Sequence, residues 1–268
     1  MEVAVKSILQ ISSFSLLLAT LLSVCVLAQS HQGSYMHIDY LNVDTENIPA
    51  FMDKITSTFL PIQQARKKND KISDWYIYKV AYPGARNSHY NFVVITISDH
   101  ISGFEDMDYQ LNGQVASRER ERLLREYKIH FSPNHSELWR IRNSVMQNEE
   151  AKPSRYIVMN YMSVGQGYEF EYQMMEDEVA RPLHEMRMDR DIMRGWELNE
   201  LIIPGGTEYG YNFSTLDYFE KLEHIEFGFT EELIRQTHPD TNINEFFDSI
   251  NRARDLVRNE VWELIKAM

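Results

Sequence analysis

The chain has 268 residues, 43% hydrophobic and 25% charged, with a formal net charge of −13. Without a Lys/Arg-rich run, that acidity argues against a nucleic-acid or anionic-membrane grip, and the composition is that of a folded chain rather than a disordered one. Cys25 is the only cysteine. Because it falls in a segment expected to be removed, disulfides, thiolate chemistry and cysteine–metal sites are excluded from the mature chain.

Lys6 precedes a mostly apolar run from Ile8 to Leu27 that ends in Val26-Leu27-Ala28. This layout predicts a signal peptide over residues 1–28, cleaved after Ala28, and hence a secreted or periplasmic protein with no membrane attachment once it is gone. An uncleaved anchor is the rival reading, since twenty apolar residues are long enough to span a bilayer. Ser12, Ser13, Ser15 and Thr20 favour removal. Lipid attachment at Cys25 is a third reading, with Val24 standing where a small residue is expected.

From Tyr35 to Val43 the chain alternates and is rich in β-formers, which predicts a strand. Asp44-Thr45-Glu46-Asn47 ahead of Pro49 reads as a helix start. Phe51, Ile55, Phe59 and Ile62 continue at helical spacing and mark the buried stripe. Pro61 falls late in that helix and predicts a kink or a tightening. Arg66 and Asp70, four apart, suggest an ion pair holding the turn into a second strand, 73–82, with a ligand-gripping arginine as the alternative. Pro83-Gly84 turns the chain into a third strand, 89–97. Helical segments follow at 103–109 and 114–128, then a short closing strand at Glu137-Leu138-Trp139-Arg140-Ile141.

The same text then recurs. Tyr35, Tyr40, Val43, Pro61, Arg66, Asp70, Trp75, Pro83, Gly84, Tyr90, Asn91 and Phe92 each have an identical residue 121 positions later, from Tyr156 to Phe213. Tyr172, Met175, Val179, Leu183 and Met186 form the second apolar stripe. Helical segments are expected at 217–236 and 245–258, and Glu260-Val261-Trp262-Glu263-Leu264 closes the second copy. The polar stretch 148–154 reads as a linker, so the chain divides into repeats at 29–150 and 151–268.

Each repeat reads β-α-β-β-α-β, the ferredoxin-like order. Two such sheets in one chain can pack bare face to bare face. That arrangement resembles the dimeric α+β barrel superfamily, with both halves in one polypeptide. The resemblance implies small monooxygenases, haem-binding enzymes or binding proteins as functional classes, and does not select among them.

Several residues stand out as candidates. Trp75, Ile77 and Lys79 share a strand face, as do Trp196, Leu198 and Glu200. If those faces line the space between sheets, Lys79 and Glu200 can meet and position a ligand; the alternatives are a satisfied structural pair and exposure to solvent. The tryptophans read first as core. His37 and Asp39, two apart on the first strand, suggest a proton-handling site, the more so with Tyr90, Tyr211 or Asn91 nearby. The nine histidines are scattered, and no metal site is expected. No cofactor is predicted, although a lone axial histidine leaves haem open, with His37, His184 and His224 as candidates. The leading reading is an exported protein binding a small, largely apolar or aromatic molecule. The alternatives are a cofactor-independent monooxygenase-like enzyme and a solid-cored interaction protein. Further homodimerisation is left open.

Overall fold

The computed structural model describes residues 31–84, 88–105, 107–113, 115–148 and 153–268. The predicted signal segment, Cys25, Ala85-Arg86 of the first hairpin turn and the centre of the linker lie outside the described residues.

Eight strands form one closed antiparallel barrel in the order β1-β3-β2-β8-β5-β7-β6-β4. They are β1 (Tyr35–Leu41), β2 (Asp74–Tyr82), β3 (Phe92–Ser98), β4 (Pro133–Met146), β5 (Tyr156–Ser163), β6 (Gly195–Ile203), β7 (Phe213–Phe219) and β8 (Asp255–Ala267). Within the first half β1 pairs β3 and β4, and β2 pairs β3; within the second, β5 pairs β7 and β8, and β6 pairs β7. Two cross-pairs, β2 with β8 and β6 with β4, join the halves edge to edge. Closure therefore removes every free edge of the sheet.

That closure explains why the last strand of each half is longer than expected. β4 has 14 residues and β8 has 13, because each holds two registers, one to its own half and one to the other. Polar residues at Glu137, Arg140 and Asn143 break the apolar alternation and hide this length in the sequence. The helix expected at 217–236 gives way in the same manner: Asp217 to Phe219 are still strand β7, and the helix is Glu231–Thr237.

Helices cover the outside. In the first half, α1 runs as Ile48–Lys54, a π turn Ile55–Phe59 and Leu60–Lys68, and is followed by α2 (Met107–Leu111) and α3 (Ser117–His130). In the second, α4 runs as Glu169–Met175, a π turn Glu176–Ala180 and Arg181–Asp189, followed by α5 (Glu231–Thr237) and α6 (Ile243–Ala253). The late prolines widen the helix rather than tighten it. Pro61 and Pro182 have no N–H for the carbonyl four residues earlier, and the turn just upstream opens to π geometry in both helices.

Both long helices end on an aspartate in the left-handed region, Asp70 at φ 53° and Asp191 at φ 59°. Lys71 N–H returns to Arg66 C=O and Ile192 N–H to Arg187 C=O, each at 3.0 Å, closing the helix ends. The expected Arg66–Asp70 pair is thus replaced. The aspartate serves the turn with its backbone, and the arginine turns inward.

Period-2 alternation sends one set of side chains into the barrel and the other under the helices. Met36, Ile38, Tyr40, Tyr78, Ile95, Trp139, Met159, Tyr161 and Trp262 are among those that fill the interior. Trp75 and Ile77 face outward beneath α1, with Phe51, Ile55, Phe59 and Phe92. Trp196 and Leu198 do the same beneath α4.

Candidate functional site

The two helix-covered layers differ. Under α1 and α3 three rings fill the space: Phe59 lies 5.4 Å from Tyr127 and 5.6 Å from Phe131, and Tyr127 stacks on Phe131 at 4.6 Å between centroids. In the second half the corresponding residues are Ala180, Ile250 and Arg254, by the same spacing of 121 along the long helix and of 123 towards the closing strand. Three aromatic rings have become a methyl, an aliphatic chain and a guanidinium. A cavity of about 150 Å³ opens there, between β5, β7 and β6 on one side and α4 and α6 on the other.

The cavity wall combines apolar and polar chemistry. Met162, Met175, Phe229, Ile250 and Leu256 supply the apolar part, with the indole of Trp196. Asn160, Glu176, His184, Thr215, Asp217 and Arg254 supply the polar part. Glu176 opens the π turn, so the widened backbone carries a carboxyl into the layer where the first half has Ile55. It is 5% exposed, and burial pushes its carboxyl up to about 7. The Tyr172 hydroxyl and Arg254 pull the other way. Burial likewise pushes Asp217 up to about 6, against the pull of Arg187 and Asn160. Two carboxyls therefore titrate near neutrality inside one cavity, the condition for acid–base exchange with a bound molecule.

His184 stacks on Trp196 at 5.3 Å and 17°. Its Nδ1 lies 3.3 Å from an Arg187 guanidinium nitrogen. A guanidinium only donates, so Nδ1 accepts and Nε2 carries the proton. Burial and Arg187 hold the ring neutral by lowering its pKa well below the usual range. A haem-ligating histidine needs the opposite tautomer, with Nδ1 donating and Nε2 free. The cavity is also smaller than the roughly 300–1,000 Å³ of pockets for larger ligands. Its residues do not fit haem. His224 has Nδ1 on the Ile192 carbonyl at 3.0 Å and is not among the cavity-lining residues. Among the described residues no three His, Cys, Asp or Glu side chains come together as metal ligands would.

The other sequence candidates fall in three places. Lys79 is exposed and opposes Glu263 across the strands, while Glu200 pairs with Arg142, so Lys79 and Glu200 do not meet. Their strand faces look out of the barrel, not into it. Trp75 packs into the first-half core, and Trp196 stands on the cavity wall.

His37 and Asp39 do come together, Nδ1 to Oδ2 at 3.3 Å, and Ser136 Oγ donates to the other oxygen of Asp39 at 2.5 Å. They sit on the outer face of β1, with the His37 ring against Phe104. Asn91 is committed elsewhere: its side-chain amide bonds both backbone groups of Val43, at 2.9 and 2.7 Å, as Asn212 does for Val164.

Tyr90 and Tyr211 point into the barrel, where they belong to a buried polar network. Glu137, 1% exposed, accepts from Tyr40 at 2.7 Å, Trp139 Nε1 at 2.9 Å, Tyr209 and Tyr211. Glu260, also 1% exposed, accepts from Tyr90, from Trp262 Nε1 at 3.0 Å and from Arg258 at 3.2 Å. The Tyr40 and Tyr161 hydroxyls meet at 3.0 Å, and the Arg258 guanidinium lies 3.9 Å from the Tyr161 ring centre. Each carboxylate is saturated with donors, which makes this network part of the frame.

No family model matches the chain, and no curated protein sequence matches it. Solved structures do share its fold. A proposed monooxygenase from Fusobacterium nucleatum superposes with a TM-score of 0.51 at 7% identity, over 88% of this chain and 94% of that one. A haem-binding protein from Thermus thermophilus gives 0.45 at 9% identity, over 90% and 95%. A proposed monooxygenase from Lactobacillus acidophilus gives 0.46 at 9% identity, over 88% and 96%. At these identities the likeness is one of fold alone, an α+β chain around a closed eight-stranded antiparallel barrel.

Proposed function

We propose that this chain binds a small, largely apolar molecule, about one ring in size, in the cavity of its second half. One observation carries the reading: the place of Phe59, Tyr127 and Phe131 is taken by Ala180, Ile250 and Arg254, so the space those three rings fill in the first half is open in the second. A cavity of roughly 150 Å³ accommodates a molecule such as benzene. The first half then serves as frame, within a chain of two ferredoxin-like repeats, 29–150 and 151–268. Export belongs to the same proposal, and the secreted protein is expected to begin at Gln29 by mass.

Ligand-observed NMR with a library of single-ring compounds tests the binding. Binders are expected for the native chain and lost in Ala180→Phe, which restores the ring of the first half. Binding that survives Ala180→Phe refutes the location, and a library without binders refutes the reading.

Glu176 supports a second reading, an enzyme that moves a proton on the bound molecule. A carboxyl held near 7 inside a cavity is poised to give and take a proton at neutral pH. In that reading Glu176→Gln abolishes turnover and leaves binding intact.

A further inference from the structure

The cavity's unpartnered polar atoms are unequal in kind. Trp196 Nε1 and Arg254 Nε are buried donors with no acceptor, against one buried acceptor without a donor, Asp217 Oδ1, and Arg187 Nε is a further unpartnered donor just behind the wall, beside His184. Buried polar groups are almost always satisfied, so a bound molecule or water must supply what these lack. His184 adds a third donor to the wall, because accepting from Arg187 leaves its Nε2 carrying the proton.

The contrast between the two inward arginines sharpens this. Arg66, in the first half, donates to Gln110 at 2.8 Å, Gln63 at 2.7 Å and the Gly103 carbonyl at 2.8 Å. Arg187, 121 residues later and 4% exposed, has only the His184 ring nitrogen and the faces of Phe219 and Phe229. No carboxylate of the described residues lies within ion-pair distance of Arg187 or Arg254.

We infer that the molecule bound in this cavity is a compact oxyanion, a phenolate, enolate or carboxylate on a ring-sized apolar body. Its oxygen is received by the Trp196 indole and the Arg254 guanidinium, with the charge of Arg187 behind His184, and its ring lies against Met162, Ile250 and Leu256. This rests on the binding reading above and specifies its ligand class. The titratable and charged groups facing the ligand are Glu176 and His184 from α4, Asp217 from β7 and Arg254 at the end of α6, with Arg187 of α4 behind His184. With Glu176 held near neutrality, the two carboxyls carry less than two full charges against the two guanidiniums, and the positive surplus favours an anionic oxygen over a neutral one.

Titration with 4-nitrophenol tests this, because its phenolate band reports which protonation state is bound; nitrobenzene is the neutral comparison. At neutral pH the phenolate is expected to bind at least about tenfold more tightly than nitrobenzene, as hydrogen bonds to charged groups allow. The apparent pKa of bound nitrophenol then falls. Arg254→Gln weakens the phenolate about tenfold and leaves nitrobenzene unchanged, while Arg254→Lys recovers part of the loss; circular dichroism confirms that both variants fold. Nitrobenzene binding equally well, or nitrophenol bound in its neutral form, overturns the oxyanion assignment and leaves the cavity a binding site. Binding of neither overturns the assignment together with the reading it rests on.

Discussion

Glu176→Gln isolates the energetic consequence of the carboxyl in the cavity. In the unfolded chain this group titrates at 4.5, and in the folded chain burial pushes it up to about 7. Ionising it in place therefore costs about 3 kcal/mol, at 1.36 kcal/mol per tenfold change in proton affinity. The sign follows from linkage. Between the two values the folded state binds more protons than the unfolded one, so stability falls as pH rises. The penalty is absent below about 4.5, grows to about 7 and is complete above that.

Glutamine keeps the shape and cannot ionise, so the variant lacks this dependence. Urea unfolding, followed by the fluorescence of the buried tryptophans, is expected to give native and variant stabilities within about 1 kcal/mol at pH 4.5. At pH 8 the variant is the more stable by about 3 kcal/mol. Asp217 is raised as well, from 3.8 to about 6, and contributes with the same sign in an overlapping window. The difference between the two proteins cancels it. Parallel stability curves from pH 4.5 to 8 would refute the placement of Glu176 as a desolvated carboxyl. A group that lowers stability in the neutral range is what a functional site retains and a purely structural layer discards.

The three-ring cluster gives a second prediction: Phe59→Ala removes the ring that touches Tyr127 and Phe131, with a loss of about 3–5 kcal/mol in urea unfolding. Ala180→Phe, which fills existing space, is expected to change stability by less than about 1.5 kcal/mol. The arginines should differ in the same assay. Arg66→Ala strands the side-chain oxygens of Gln63 and Gln110, leaves the Gly103 carbonyl with Gln110 alone, and is expected to cost about 3 kcal/mol, with Arg187→Ala costing less than half of that. His31 is held by Glu197 at 3.1 Å and Asp74 at 3.3 Å, and these partners outweigh burial to raise its pKa to about 10. The stability lost in His31→Ala is therefore expected in full below pH 6.5, diminishing as pH rises through about 10 and checked by unfolding at pH 6, 8 and 10.

The parts legible in the sequence are those that a repeating pattern writes down. The strand order within each half, the two apolar helix stripes and the late prolines are read directly from residues that recur 121 positions apart. The orientation of β2 and β6 was not, because both faces are buried. Trp75 and Ile77 pack under α1 while Tyr76 and Tyr78 face the barrel, and where both faces are apolar the period of two no longer says which is inside. The length of β4 and β8 was hidden by carboxylates that face inward and are satisfied there by an indole two residues on in the same strand and by tyrosines from elsewhere in the chain. Several identical residues serve the frame: Asp70 and Asp191 stop the helices, Asn91 and Asn212 brace a strand end, and Tyr40 and Tyr161 join hydroxyls inside the barrel. The cavity arises where the halves disagree, at Phe59 against Ala180, Phe131 against Arg254 and Ile55 against Glu176. A signal for the site was therefore present in the sequence, in the positions where an aromatic or aliphatic residue of the first half loses its bulk or gains a charge in the second. Recognising it required knowing that those three positions share one layer, which side-chain spacing along separate helices does not reveal. Gln63 against His184 and the unchanged Arg66 and Arg187 complete the same logic. The arginine is kept, its three acceptors are not, and the functional difference lies in the partners rather than in the residue itself.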